Sequence, residues 1–340
     1  MQLILVAPGL LAQSQPALAA TSSLASLAQL GATAHLHASG IAAALIDALG
    51  APADTPIAPL AALGASIDAG TDYVFAADPV LLAADRDDLI LVQRIDDLAA
   101  DESGALETTL NRHFASDDWR FAAARPDAWF AHSPRAPAIT TTPFDAACAK
   151  GVFPYLPRGA DGGVWQRWQN EIGMLLHEHP VNVAREAAGR PGVTGIWFWG
   201  GGRLSDAVGL PAIIVSAAPG RVGDLARGVA RHAGGSVDAF GVAASPSHVV
   251  ERAQSAGNAG ATCVVVTEAI ASDAAVAAFA AHWLRPALDL LERRRIDRLT
   301  VIADGNGVAA RWSATPPTLW QRVTARLHRQ AFAVPAAPSS

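Results

Sequence analysis

Leu3-Ile4-Leu5-Val6-Ala7, stopped by Pro8-Gly9, is apolar at five successive positions. A run this short, apolar throughout instead of at alternate positions and ended by a turn pair, predicts a strand buried on both faces. Outward from it, Ser22 to Gln29 carries Leu24 and Leu27, with Leu30 and then Gly31 behind them, the spacing and the stop of a helix. Residues 32–38, ATAHLHA, predict a second strand. Ser39 then stands where a helix over 40–49 would be capped, and Gly50 ends it. Strand, helix, strand, helix in that order predicts an α/β chain with a mostly parallel sheet flanked by helices.

The alternation returns late in the chain, with strands expected at Val193 to Trp199, Ala212 to Ser216, Val237 to Ala239, Thr262 to Thr267 and Leu299 to Ile302. Helices at Val222 to His232, Ser247 to Ala256 and Asp273 to Arg294 separate the later ones. Between the two ends the pattern changes. Tyr73 to Phe75 begins a strand expected to end at an Asp78-Pro79 turn, and Leu89 to Val92 is another. Leu106, Leu110 and Phe114 mark an amphipathic helix, Arg125-Pro126-Asp127 a hairpin, and SPRAPAITTTP (133–143) a linker or lid. A second helix buries Trp165, Trp168, Ile172, Leu175 and Leu176. The expected organisation is a discontinuous core, 1–95 and 176–330, a smaller inserted α+β module at 96–175, and a tail at 331–340.

Composition narrows the function. The chain has 340 residues, enough for one large or two smaller domains; 51% are hydrophobic and 16% charged, which excludes disorder for most of it. A net charge of -6 with scattered arginines offers no field for nucleic acid. Cys148 and Cys263 form no CxxC pattern, which fits a reducing compartment. The start lacks a basic segment ahead of its apolar run, and no stretch approaches the roughly 20 apolar residues that span a bilayer. A cytoplasmic protein without membrane partners is expected.

The richest polar stretch is His177 to Arg203, HEHPVNVAREAAGRPGVTGIWFWGGGR. His179, Asn182 and Arg185 recur at steps of three behind Pro180. They offer an imidazole, an amide and a guanidinium fork, which suit a phosphate or carboxylate; the alternative is a hydrogen-bonded turn that serves structure alone. Gly200, Gly201 and Gly202 follow an apolar strand. They read either as close backbone approach to a ligand or as a tight turn needing positive φ. Ser39 occupies a sensible place for an oxygen nucleophile or for an N-cap, and a serine without a base or metal is inert near neutral pH. Asp304 and Glu268 end strands and are the carboxylates that could join a metal site. Asp273 is a candidate carboxylate or helix cap.

The residues N-E-x-x-M-x-L-H-x-H-P-V-N-x-x-R-E-x-x-G from Asn170, followed by I-W-F-W-G-G-G, resemble cofactor-independent phosphoglycerate mutases of the archaeal type. PGLL, DPV and the Asp-Trp-Arg-Phe and Arg-Pro-Asp-Ala-Trp-Phe segments resemble an RpfE-type regulatory offshoot. The resemblance implies an alkaline-phosphatase-like core in which two divalent ions, held by aspartates and histidines, activate a serine. This chain departs from it: Ala7-Pro8-Gly9 stands where the first metal-binding aspartate belongs, and the later His-Asp-His cluster is replaced by TEAIASD. Ser39 lies near the nucleophile position.

The expectation is a degenerate, non-catalytic pseudoenzyme relative with a regulatory or ligand-sensing role, without cofactor and with a small phosphorylated or carboxylate ligand or a protein as partner. The alternative is an active mutase or phosphohydrolase using Mn or Mg around Ser39, Asp304 and Glu268, which requires those three groups to converge.

Overall fold

The computed structural model describes residues 1–30, 33–37, 39–85, 88–241, 244–258 and 260–317. The expected tail at 331–340 lies outside them. The described strands are β1 (Gln2–Ala7), β2 (Thr33–His37), β3 (Tyr73–Asp85), β4 (Asp88–Arg94), β5 (Arg120–Arg125), β6 (Ala128–Ser133), β7 (Gly195–Gly202), β8 (Ile213–Ala217), β9 (Ser236–Asp238), β10 (Thr262–Val266), β11 (Arg298–Gly305) and β12 (Val308–Ala314). They fall into two compact units, Met1–Ala53 with Gly209–Ser340, and Asp54–Val208.

The first unit holds a seven-stranded sheet in the order β2-β12-β11-β1-β10-β8-β9. β1 is central: Leu5 lies beside Val265 of β10 and Val301 of β11, both parallel to it. Among the described strands β12 is the one that runs against the common direction of this sheet, antiparallel to both β11 and β2. The continuous apolar run is explained by this position. Leu3, Leu5 and Ala7 join a core with Val249, Leu284, Leu288 and Leu291 from the flanking helices, while Ile4 and Val6, on the other face, are equally buried. Fully burying each leucine, isoleucine or valine of this strand stabilises the fold by about 1.5–3 kcal/mol relative to exposure.

The second unit is built on β3, which pairs with β6 and then β4 along one side and with β7 along the other. The expected turn at Asp78-Pro79 is instead inside this strand. Pro79 lacks an N–H but keeps its carbonyl, which accepts from Ile95 N–H at 2.9 Å. The buried Asp78 carboxylate is balanced by Arg94 Nε at 2.8 Å and Trp199 Nε1 at 2.9 Å. Behind the sheet, Phe75, Trp119, Trp165 and Phe198 pack with ring centroids between 4.8 and 6.3 Å.

The unit boundaries therefore differ from the expected 95/96 and 175/176. Strand pairing is the reason: β3 and β7 are hydrogen-bonded to one another and β3 to β6, so residues 73–85 and 195–202 belong to the second unit and not to the core of the first.

Candidate functional site

His179, Asn182 and Arg185 do come together, on the helix Pro180–Ala187 and its N-cap, but they are turned to the chain itself. His179 Nδ1 accepts from Val181 N–H at 3.3 Å, so Nε2 carries the ring proton and donates to Thr109 Oγ1 at 3.0 Å. Burial, reinforced by the charge of Arg112, lowers the imidazole pKa and keeps it neutral. Both Asn182 amide protons go to carbonyls, those of Leu176 and Val193, each at 2.7 Å, and its oxygen accepts from Val193 N–H at 2.8 Å. Arg185 has a side chain with 0% exposure, held by Asp97 at 2.6 Å and Glu102 at 2.8 Å. Its Nε donates to Pro191 O at 2.8 Å. A guanidinium already flanked by two carboxylates is compensated, and an added phosphate would have to displace them. The turn reading describes these three residues, and the anion-binding reading does not.

The three glycines lie in β7 itself, not in a loop after it. A Cβ on Gly201 would sit 2.4 Å from the Phe75 ring and 2.7 Å from the Tyr73 ring, and one on Gly202 would sit 2.3 Å from Pro56 Cβ. Gly200 has φ +64. The strand is glycine-rich because rings and a proline pack directly on its backbone, and close approach to the chain's own side chains takes the place of approach to a ligand.

Ser39, Asp304 and Glu268 all lie toward the carboxyl edge of the seven-stranded sheet, and the strand order keeps them apart. β12 lies between β2 and β11, and β1 between β11 and β10. With strands ~4.8 Å apart, Asp304 and Glu268 are separated by about 10 Å of sheet and Ser39 and Glu268 by about 19 Å. Ser39 is exposed at the N-cap position of the helix Gly40–Ala48 and makes no side-chain cap hydrogen bond. His37, two residues before it, has Nε2 3.6 Å from Asp47, which also pairs with Arg311 at 2.6 Å. Asp273 ties its carboxylate to Ser14, and Ser272 supplies the helix cap instead.

The loop after β1 fills the space between these ends. Gly9, at φ +77, donates its N–H to Asp304 Oδ1 at 2.6 Å. Gln13 Nε2 reaches Gly9 O at 3.0 Å and Ile270 O at 2.8 Å, and Asn306 Nδ2 reaches Leu11 O at 3.2 Å. The backbone approach is tight: a Cβ on Gly305 would lie 2.0 Å from Ala12 N, and one on Gly9 would lie 2.7 Å from Ile270 O. Among the described residues no group of three or more His, Cys, Asp or Glu is placed to hold a metal. The residues present do not fit the two-ion site that the sequence resemblance implies, since a hard divalent cation needs several converging oxygen ligands.

Beside this loop the carboxyl edge opens into a cleft of about 600 Å³, lined by Pro219 after β8, Phe240 after β9, Thr267 and Glu268 after β10, and His282 and Trp283. Crevices at strand carboxyl ends are where open α/β sheets take ligands. Phe240 and Trp283 stack with centroids 5.7 Å apart and planes at 13°. His282 Nδ1 faces Ala278 O at 3.0 Å, which leaves Nε2 free to accept. Both His282 and Trp283 belong to a π-helical turn, Ala280–Leu284, a rare feature that recurs at functional sites. Of this group only Glu268 was singled out from sequence. His282 and Trp283 fall inside the single long helix expected over 273–294, since apolar spacing does not distinguish an α turn from a π turn.

No family model and no curated protein matches the chain. Among solved structures, it is similar to a cofactor-independent phosphoglycerate mutase from Thermoplasma acidophilum DSM 1728, at 15% identity and a TM-score of 0.40 over 94% of this chain and 90% of that one. It is also similar to the PH0037 protein from Pyrococcus horikoshii, at 13% identity and a TM-score of 0.49 over 92% and 87% of the two chains. Likenesses this distant transfer no residue's role. Among the described residues, no helix is long and apolar enough to cross a membrane.

Proposed function

We propose that the chain is a phosphoglycerate-mutase-like α/β protein that has given up two-metal phosphotransfer and acts by binding a small molecule, in a regulatory or sensing role. The observation that carries this reading is the loop after β1. Its backbone occupies the space between the ends of β1, β10 and β11, and the Gly9 N–H holds the Asp304 carboxylate at 2.6 Å. The likeness to phosphoglycerate mutases is supported by the sequence motifs between Asn170 and Arg203. The RpfE-type regulatory offshoot and a cytoplasmic setting belong to the same proposal.

The binding element is the cleft at the carboxyl edge. Its lining includes Glu268 and His282 but no lysine or arginine among the described residues. The ligand proposed here is therefore uncharged or cationic, in place of the phosphorylated or carboxylate ligand expected from the sequence, whose cation, Arg185, is already spent on Asp97 and Glu102.

The test is metal analysis of purified protein after Mn²⁺ loading, together with a coupled assay of 3-phosphoglycerate turnover. The expected result is substoichiometric metal and no turnover. Two tightly held ions per chain together with mutase activity would overturn the reading and restore the active-enzyme alternative.

A further inference from the structure

We propose that the unit formed by residues 54–208 carries a second, independent site that binds a carbohydrate. The site is a cleft of about 400 Å³, within the size range of small-molecule sites, enclosed by the turn before β5, the segment after β6 and the start of the helix Gly162–His177. It does not depend on the proposed function of the carboxyl-edge cleft, which lies in the other unit.

Its apolar wall is Trp168. Trp119 meets this ring at 5.3 Å and 74°, and Trp165 meets it at 5.7 Å and 67°. Both of those neighbours are buried, whereas Trp168 is only partly covered. The indole is thus fixed by edge-to-face contacts before any ligand arrives, and a rigid aromatic surface binds with little ordering cost.

The polar rim carries both signs of charge. Asp117, Asp118 and Arg135 line the cleft, are exposed, and form no ion pair among the described residues. Asp161 is half committed, with Oδ2 accepting from Ala138 N–H at 2.7 Å. A phosphate or carboxylate ligand would meet three aspartates. An organic cation would meet Arg135. A hydroxyl suits the whole rim, because it donates to a carboxylate and accepts from a guanidinium. A sugar ring adds the remaining requirement, a C–H face that covers the indole while its hydroxyls project to the edges. Nothing in the sequence announced this site: Arg135 falls in the segment expected to be a linker or lid, and Trp168 on a helix face expected to be buried.

The experiment is saturation-transfer NMR and tryptophan fluorescence titration of the full chain with glucose, galactose, mannose, maltose and cellobiose. At least one sugar is expected to bind with a millimolar dissociation constant. Asp118→Asn is the first variant, since Asp118 has φ +60, a conformation that asparagine adopts readily. It should weaken that binding roughly tenfold, as expected for losing a charged hydrogen-bond acceptor. Trp168→Ala should abolish it, and Trp168→Phe, which keeps an aromatic plane and core packing, should retain part of it. The proposal is overturned if no sugar binds at tens of millimolar, if binding is unchanged in Asp118→Asn and Trp168→Ala, or if choline or inorganic phosphate binds where the sugars do not.

Discussion

Replacing Arg185 by alanine separates a structural role from an anion-binding one. The side chain is fully buried and donates to three acceptors: the Asp97 and Glu102 carboxylates and the Pro191 carbonyl. Removing one partner of a buried ion pair typically costs about 3–5 kcal/mol. Two features reduce that here. Asp97 is 58% exposed and can turn to water, and Arg190 still reaches Asp97 at 3.2 Å and Glu102 at 3.3 Å. We therefore expect a loss of about 2–3 kcal/mol, which for a unit of this size lowers Tm by roughly 5–10 °C. The assay is urea and thermal unfolding followed by tryptophan fluorescence, which reports the ring cluster of the same unit. Acid titration adds a second signature. Burial works to raise the Asp97 pKa, but hydrogen bonds from Arg185 and Arg190, with their charges, outweigh it and hold the carboxyl below its ordinary 3.8. A depressed carboxylate pKa gives stability that is present above 3.8 and lost as pH falls through the folded-state value, so that acid-linked loss should be smaller in Arg185→Ala. Unchanged unfolding in the variant, combined with loss of a thermal shift given by 3-phosphoglycerate, would refute the structural assignment.

Gly201→Ala must move the Phe75 or Tyr73 ring, and should destabilise the second unit by about 1–3 kcal/mol in urea unfolding; an unchanged midpoint would contradict the packing account. His132, 1% exposed on β6, has its pKa lowered to about 4 by burial and by the nearby Arg120, against the opposing charges of Asp72 and Asp68. The unfolded chain then binds the extra proton first, so stability should fall by about 2–3 kcal/mol as pH drops from 6.5 to 4, and His132→Gln should flatten that slope if it folds stably at neutral pH. Burial pushes the Cys263 thiol up to about 11, and a thiol-exchange reagent at pH 8 should modify Cys148 ahead of it, with Cys263 reacting only on unfolding.

How much of this was legible from the sequence follows from the range over which each interaction acts. The central strand could be read from five residues, because burial on both faces leaves a local, continuous apolar mark in Leu3 to Ala7. β12 left no such mark: Arg311 interrupts its middle, and its pairing with β11 and β2 is what makes it a strand. The unit boundary was misplaced for a related reason. Asp78-Pro79 resembles a local stop, and only the distant β7 and Arg94 show why a strand continues through it. At the candidate site the convergence of His179, Asn182 and Arg185 was visible in their spacing, but the carboxylates that neutralise Arg185 stand 83 and 88 residues earlier in the chain. A guanidinium waiting for an anion and one already paired have the same local sequence. The loop after β1 is different, because Gly9 acts at its own position: with φ +77 it allows the backbone to approach Asp304. A turn that depends on one glycine is thus more readable than a cleft, since one residue suffices for the first, whereas the second needs side chains from several segments to meet.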